Sequence, residues 1–323
     1  MQRSFVAAAL AAAFIGATVA PAAAQWPNDR PIRLIVGFGA GGGTDIVARI
    51  VAQPLSELLK QSVVVENKPG AGGSIASGEV ARAAKDGYTA TMISTGHTVG
   101  AAMLKNVPYD AVKDFAPVGL VANSAFVIVA NKDFAANDIK GLVALAKASP
   151  GKLNFASVGI GSTQHIAGEL LVQSAGIEVK HIPYRGSPAL VAALLAGQVD
   201  YGVETFQAVQ GQVQGGTLKL LAVGGATRLA AVPNVPTVAE SGVPGYVVSG
   251  WYGFAYPAGT PQAIVDKTNA ALKTVLAQPD VRDRLSNAGA TASISTPAEF
   301  GTLLAEEVAK WKAVRDKAGL EPQ

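Results

Sequence analysis

Two α/β domains with a cleft between them are what the sequence predicts, on three observations. A strand, a glycine-rich turn and an amphipathic helix recur along the chain, the alternation that builds parallel sheets. The 323 residues exceed what one hydrophobic core ordinarily serves. A long helical tail follows the last strand, so the chain is expected to leave the first domain near Asn123 and return to it near Ser249. Domain 1 is then 25–124 with 249–323, and domain 2 is 125–248. Two consecutive domains split near Pro150 are the alternative.

Residues 32–36 read as a buried strand and 37–43 as a turn. Thr44 reads as N-cap of a helix carrying Ile46, Val47, Ile50 and Val51 on one face. Pro54 is expected to kink or split that helix, because it lacks the N–H that the ladder needs. A strand at 63–65, a glycine-rich turn at 69–73, a helix at 75–84 and a strand at 88–94 complete a βαβαβ opening with a parallel sheet. The second set starts with a strand at 126–130. It continues with a strand at 153–157, a turn at 158–161 and a helix at 163–174 whose Ile166, Leu170 and Leu171 share a side. Strands at 179–183 and 199–203 flank a helix at 188–195. After a strand at 219–223 comes a Pro- and Gly-rich connection at 232–245, then an apolar strand at 252–256. Thr260 with Pro261 and Thr296 with Pro297 read as N-cap and N1 pairs of the final helices.

The first residues set the expected compartment. Arg3 precedes an uncharged apolar run from Phe5 to Ala20, then Pro21 and the small residues Ala22, Ala23 and Ala24. That is the pattern of a secretory signal peptide over 1–24 with cleavage before Gln25, and the run is short of the roughly 20 apolar residues of a membrane span. The expected location is the periplasm. There is no cysteine, which removes disulfides, thiol catalysis, cysteine-ligated metals and a lipidated N-terminus together. Hydrophobic residues make up 49% and charged ones 15%, the balance of a packed globular protein. No Lys/Arg cluster offers a nucleic-acid face, and the formal net charge of +3 drops by one when Arg3 is removed.

Four glycine-rich turns stand at the C-terminal ends of strands: GFGAGGGTD from Gly37, GAGGS from Gly70, GIGST from Gly159 and YRGSP from Tyr184. Such turns gather backbone N–H groups at helix N-termini, where orphan donors and the helix dipole favour an anion. Glycine also simply permits tight turns, but four in both halves of the chain point to a shared anion site. Asp45 is either a capping residue or a cleft residue that orients water or accepts from the ligand. Ser94, Thr95 and His97 follow the third strand as adaptable hydrogen-bonding groups or a polar turn. His97 and His165 could make charge-assisted contacts or be structural, and no His/Asp/Glu spacing supports a metal site. Arg185, at a strand end, carries a fork that matches a carboxylate. Asp200 is its surface partner or a member of the same site.

No nucleophile elbow, phosphate loop or Ser/His/Asp signature supports catalysis. One enzyme reading needs weighing: Gly37, Gly39 and Gly42 spell G-x-G-x-x-G between a strand and a helix, with Glu66 placed as a ribose acid. Against this NAD-dependent dehydrogenase stand the export signal and the lack of a general acid.

The ordered set GFGAGGGTDIVAR, VVVENKPGAGGSIASGEVA, VPYDAVKDFAPVGLVA, GSTQHIAGELL, HIPYRGSPALVAALLAGQVD and WYGFAYPAGTPQAIV resembles the substrate-binding receptors of tripartite tricarboxylate transporters, the Bug receptors, over essentially the whole mature chain. The resemblance implies a type II-like periplasmic binding protein, a Venus flytrap of two α/β domains. It implies a small carboxylate held by backbone amides and bridging waters, no cofactor, no metal and a monomer. Its partners would be the membrane components of such a transporter; a signalling kinase is the other destination open to receptors of this kind. The implied site comprises Phe38, Gly39, Ala40, Gly42, Gly43, Thr44 and Asp45, then Ser94, Thr95 and His97. The second half adds Ser157, Gly159, Gly161, Ser162, Thr163 and His165 with Tyr184, Arg185 and Gly186; Asp200 joins the expected site as the neighbour of Arg185, not through the resemblance. Gly37 stands where many relatives have proline, and STGHTVGA lacks the family's asparagine.

Overall fold

A computed structural model describes residues 26–317 and 319–322. The expected signal peptide and the cleavage site before Gln25 lie outside the described residues. Strands β1 (Ile32–Val36), β2 (Val63–Asn67) and β3 (Thr89–Ser94) pair in parallel in the order β2-β1-β3, as the βαβαβ reading requires. The second parallel set is β6 (Lys180–Pro183), β5 (Asn154–Ser157) and β7 (Tyr201–Thr205).

Two antiparallel strands join the sets. β4 (Phe115–Asn131) runs for 17 residues, far beyond the five read from the sequence, because Pro117, Gly119 and Asn123 interrupt its apolar pattern. Its first part, Phe115 to Ala125, pairs with β9 (Ser249–Pro257), and from Phe126 onward it pairs with β7 and with β8 (Leu218–Val223). β9 in turn pairs with β3, so β4 and β9 carry the chain between the two sets. β10 (Ala290–Ala292) adds to the edge of β4.

The helices cover both faces. α1 (Gly43–Leu59) begins one residue before Thr44, with Gly42 as its N-cap, and continues unbroken through Pro54. Its buried Val47, Val51 and Leu55 pack with Ile264 and Leu272 of α8 (Gln262–Ala277). α2 (Ser74–Ala81) and α10 (Pro297–Lys317) cover the other face of the first set through Ala76, Val80, Phe300 and Leu304. Trp311, near the end of α10, reaches instead into the second set's core beside Phe155 and Tyr246. Thr296 caps α10 as expected, in a reciprocal box with Glu299: each backbone N–H donates to the other's side chain, at 2.8 and 3.2 Å. Thr260 does not cap α8; Pro261 holds that position, and the Thr260 hydroxyl bonds the Pro257 carbonyl.

Six more α-helices complete the described fold: α3 (Thr95–Met103), α4 (Ile139–Ala148), α5 (Thr163–Ala175), α6 (Ser187–Leu195), α7 (Phe206–Gln214) and, late in the chain, α9 (Pro279–Asn287). α3 occupies a stretch read as a polar turn, since TGHTVGAA has few strong helix formers.

Candidate functional site

All four glycine-rich turns converge between the two sets of strands. A Cβ built on Gly186 would lie 3.8 Å from the Gly39 Cα, and one on Gly72 would lie 2.7 Å from the carbonyl carbon of Gly161. The turns after β1 and β2 therefore face those after β6 and β5 backbone to backbone. Gly72 (φ +62°) and Gly161 (φ +78°) also adopt left-handed backbone that favours glycine.

Two spaces lie between the turns. The outer cavity, about 430 Å³, is walled by Gly37, Phe38, Gly39, residues 69–73, Val158, Gly159, Tyr184, Arg185 and Gly186. Arg185 is the one charged side chain in that wall, and it makes no hydrogen bond or ion pair to a described residue. The inner chamber measures about 20 Å³, room for about one water. Phe38 lines both spaces. Its ring has room there because Gly73 and Gly96 are glycines: a Cβ on either would come within 3.3 and 3.0 Å of it.

Five helices start at the inner chamber. Gly42, Gly43 and Thr44 open α1; Ser94 and Thr95 open α3; Thr163 and Gln164 open α5; Ser187 opens α6; and Thr205 is the N-cap of α7. Phe126, Gly250, Trp251 and Tyr252 complete the wall. Each N-terminus carries about half a positive charge and orphan N–H donors. Only α5 among the five has a side-chain cap, from Ser162; α1, α3, α6 and α7 have none. Four sets of donors thus remain for a group in the chamber, and the arrangement favours an anion.

The remaining predicted residues shape the turns rather than the walls. Asp45 is buried and fully occupied: it accepts from the Gly41 N–H at 2.9 Å, from Arg49 Nε at 2.9 Å and from Asn67 Nδ2 at 2.9 Å. Burial pushes its carboxyl up, but those bonds outweigh it and hold the group below its ordinary value. Asn67 also donates to the Phe38 carbonyl, locking the first turn. His97 is satisfied on both sides, by Ser77 Oγ and the Ala111 carbonyl, each at 2.9 Å. Only Nε2 can donate to that carbonyl, so Nδ1 accepts from the serine. Burial drives its pKa to about 4, so the ring is a neutral post against Tyr109 and Phe115. Ser162 caps α5, Ser157 bonds the Gly159 N–H and His181, and the Gly161 N–H donates to His165 Nδ1 at 3.3 Å. Ala40 is exposed and walls neither space.

Asp200 lies elsewhere. It sits at the opposite end of β7, accepts from the Asn154 N–H at 2.7 Å, and does not pair with Arg185. Glu66 is likewise committed: Arg33 takes both its oxygens, at 2.9 and 2.8 Å, which leaves no free acid for a ribose.

Sequence reading missed Gln164, Thr205, Phe126, Trp251 and Tyr252, which come together through the pairing of β5 with β7 and of β4 with β7 and β9. It also missed a cluster of His165, Glu169 and His181, whose ligand-type atoms lie within 4.8 Å of one another. The two rings stack at 4.1 Å, and the Gly161 bond to His165 Nδ1 places the proton on Nε2, the atom facing Glu169. In that tautomer His165 Nε2 has no lone pair to offer a cation.

A cleft walled by opposed helix N-termini is the architecture of a solute-binding receptor. Residues 47–320 match the tripartite tricarboxylate transporter family receptor profile, and the chain belongs to that family. It is 35% identical to the protein BugT of Bordetella pertussis over 302 residues, 93% of each chain. Among solved structures it is similar to R. palustris Rpa4515 with adipate (31% identity, TM-score 0.89, covering 93% of this chain and 100% of the other). A second is MatC (Rpa3494) from Rhodopseudomonas palustris with bound malate (33% identity, TM-score 0.85, covering 89% and 99%).

Proposed function

We propose that this receptor captures a small carboxylate, with one carboxylate group at the inner chamber and the rest of the molecule towards Arg185, and delivers it to the membrane components of a tripartite transporter. The observation that carries this reading is the convergence of five helix N-termini, four without a side-chain cap, on one chamber. The names of two neighbours, bound to adipate and to malate, support the ligand class.

In the same reading, 25–124 with 249–323 and 125–248 move as two domains about β4 and β9, the protein works as a periplasmic monomer without a cofactor, and 1–24 are removed on export. Isothermal titration calorimetry with a series of mono-, di- and tricarboxylates, adipate and malate first, tests it. Saturable heat with at least one is expected; no heat with any of them overturns the reading.

A further inference from the structure

Behind the wall of the inner chamber lies a carboxyl group with no cation beside it. Glu204, the last residue before the α7 N-cap, is 0% exposed. Every hydrogen bond it receives goes to Oε2: the Thr205 N–H at 2.5 Å, Thr205 Oγ1 at 3.2 Å and Gln164 Nε2 at 3.4 Å. Oε1 is buried and has no partner among the described residues. The Ser187 hydroxyl stands near enough to favour the charged form, yet makes no hydrogen bond to Oε1. Thr205, Gln164 and Ser187 all line the chamber, and the Glu204 carboxyl stands directly behind them.

Two features of this geometry decide the proton's place. Complete burial without a cation disfavours the charged form and outweighs the hydrogen bonds from Thr205, Gln164 and Ser187, which favour it; in the neutral acid Oε2, which accepts the donors, is the carbonyl and the unpartnered Oε1 carries the hydrogen. No Lys, Arg or His bonds to Glu204. An ionised carboxylate there would oppose any anion drawn by the helix termini, since both charges would share a water-poor space. A neutral one would do the reverse. Oε1 makes no hydrogen bond even to the nearby Ser187 hydroxyl, so an O–H there is uncommitted and available to an anion that arrives in the chamber.

We propose that Glu204 belongs to the ligand site as a neutral carboxylic acid whose Oε1–H donates a hydrogen bond to an oxygen of the bound carboxylate. This rests on the carboxylate-receptor reading above and adds the side chain that distinguishes an anion from a cationic or zwitterionic group at the inner end. Burial pushes the Glu204 carboxyl up from its ordinary value, in the direction the proposal needs.

The test combines infrared spectroscopy with two near-isosteric variants. In the wild-type protein at pH 7.5, a carboxylic-acid C=O band absent from Glu204→Gln is expected, and adding adipate should shift it. Absence of that band means an ionised Glu204 and overturns the proposal whatever the ligand. By calorimetry with adipate, Glu204→Met, which keeps the volume but cannot donate, should bind at least tenfold more weakly. Glu204→Gln, whose amide N–H can replace the O–H, should restore binding to within about threefold. Adipate binding by Glu204→Met as tight as wild type, with circular dichroism showing both variants folded, overturns the contact. Failure of the receptor reading itself would look different: the wild-type protein would bind no carboxylate while the infrared band remained.

Discussion

Gly72 and Gly161, from turns on opposite sides of the cleft, approach so closely that a methyl group on Gly72 would lie 2.7 Å from the Gly161 carbonyl. The clash is with backbone, which cannot rotate away. Gly72→Ala should therefore fold but resist closing. The left-handed φ adds a local cost of about 1 to 2 kcal/mol. Carboxylate affinity should fall roughly tenfold or more, because only the closed fraction binds. Small-angle scattering checks the cause: ligand should contract the wild-type protein and leave the variant extended. Normal affinity and contraction in Gly72→Ala would show that the turns need not meet.

Arg185 gives a cleaner loss, because its side chain is exposed and bonded to nothing described. Arg185→Gln should leave the thermal midpoint unchanged while weakening a dicarboxylate by roughly tenfold or more, from about 1.5 to 3 kcal/mol for a hydrogen bond to a charged group. A monocarboxylate, whose single charged group sits at the inner chamber and has no second one to offer Arg185, should be affected far less. Equal losses for both in parallel titrations would move the site away from Arg185.

These residues also show what could be read without coordinates. The four turns were legible because Gly, Ser and Thr at the ends of apolar runs have few other uses, and all four wall the outer cavity. The inner chamber was largely hidden. Thr205 and Gln164 are ordinary residues until strand pairing sets their helix starts against those of α1 and α3. Trp251 and Tyr252 arrive from the far end of the chain along β9. Asp200 looked like a site residue by closeness to Arg185 in sequence, but a strand separates a chamber end from a far end, and Asp200 stands at the far one. Pro54 failed to break α1 because neighbouring Val51 and Leu55 are buried against α8, and packing outweighs one lost hydrogen bond.

Gly211 offers a stabilising change away from the cavity walls. It is an exposed residue inside α7, and a Cβ there meets nothing within 4 Å. Gly211→Ala should raise stability by about 0.5 to 1 kcal/mol through helix propensity. Chemical denaturation would detect this, and a loss of stability would mean that α7 needs the glycine's freedom.

The neutral histidines predict how the protein meets acid. Burial holds His97 near a pKa of about 4, well below the ordinary 6.5, while the unfolded chain keeps the ordinary value. Between these limits the unfolded state binds the extra proton, so the group's contribution to stability is intact above about pH 6.5 and declines as pH falls towards 4. At pH 5 the loss from this ring should be about 2 kcal/mol. His165 and His181, depressed by burial to about 4 and about 3, act in the same direction. Glu169 and Glu204, which burial pushes up, oppose them, so the whole-protein profile does not isolate the ring. His97→Gln does. Its amide can still accept from Ser77 and donate to Ala111 but takes no proton. Wild-type stability should therefore drop relative to His97→Gln between pH 7 and pH 5 in paired denaturation curves, and ring NMR signals of folded His97 should stay unshifted to pH 5. Parallel curves, or a ring that titrates near 6.5, would show that His97 reaches solvent and is not the buried post described.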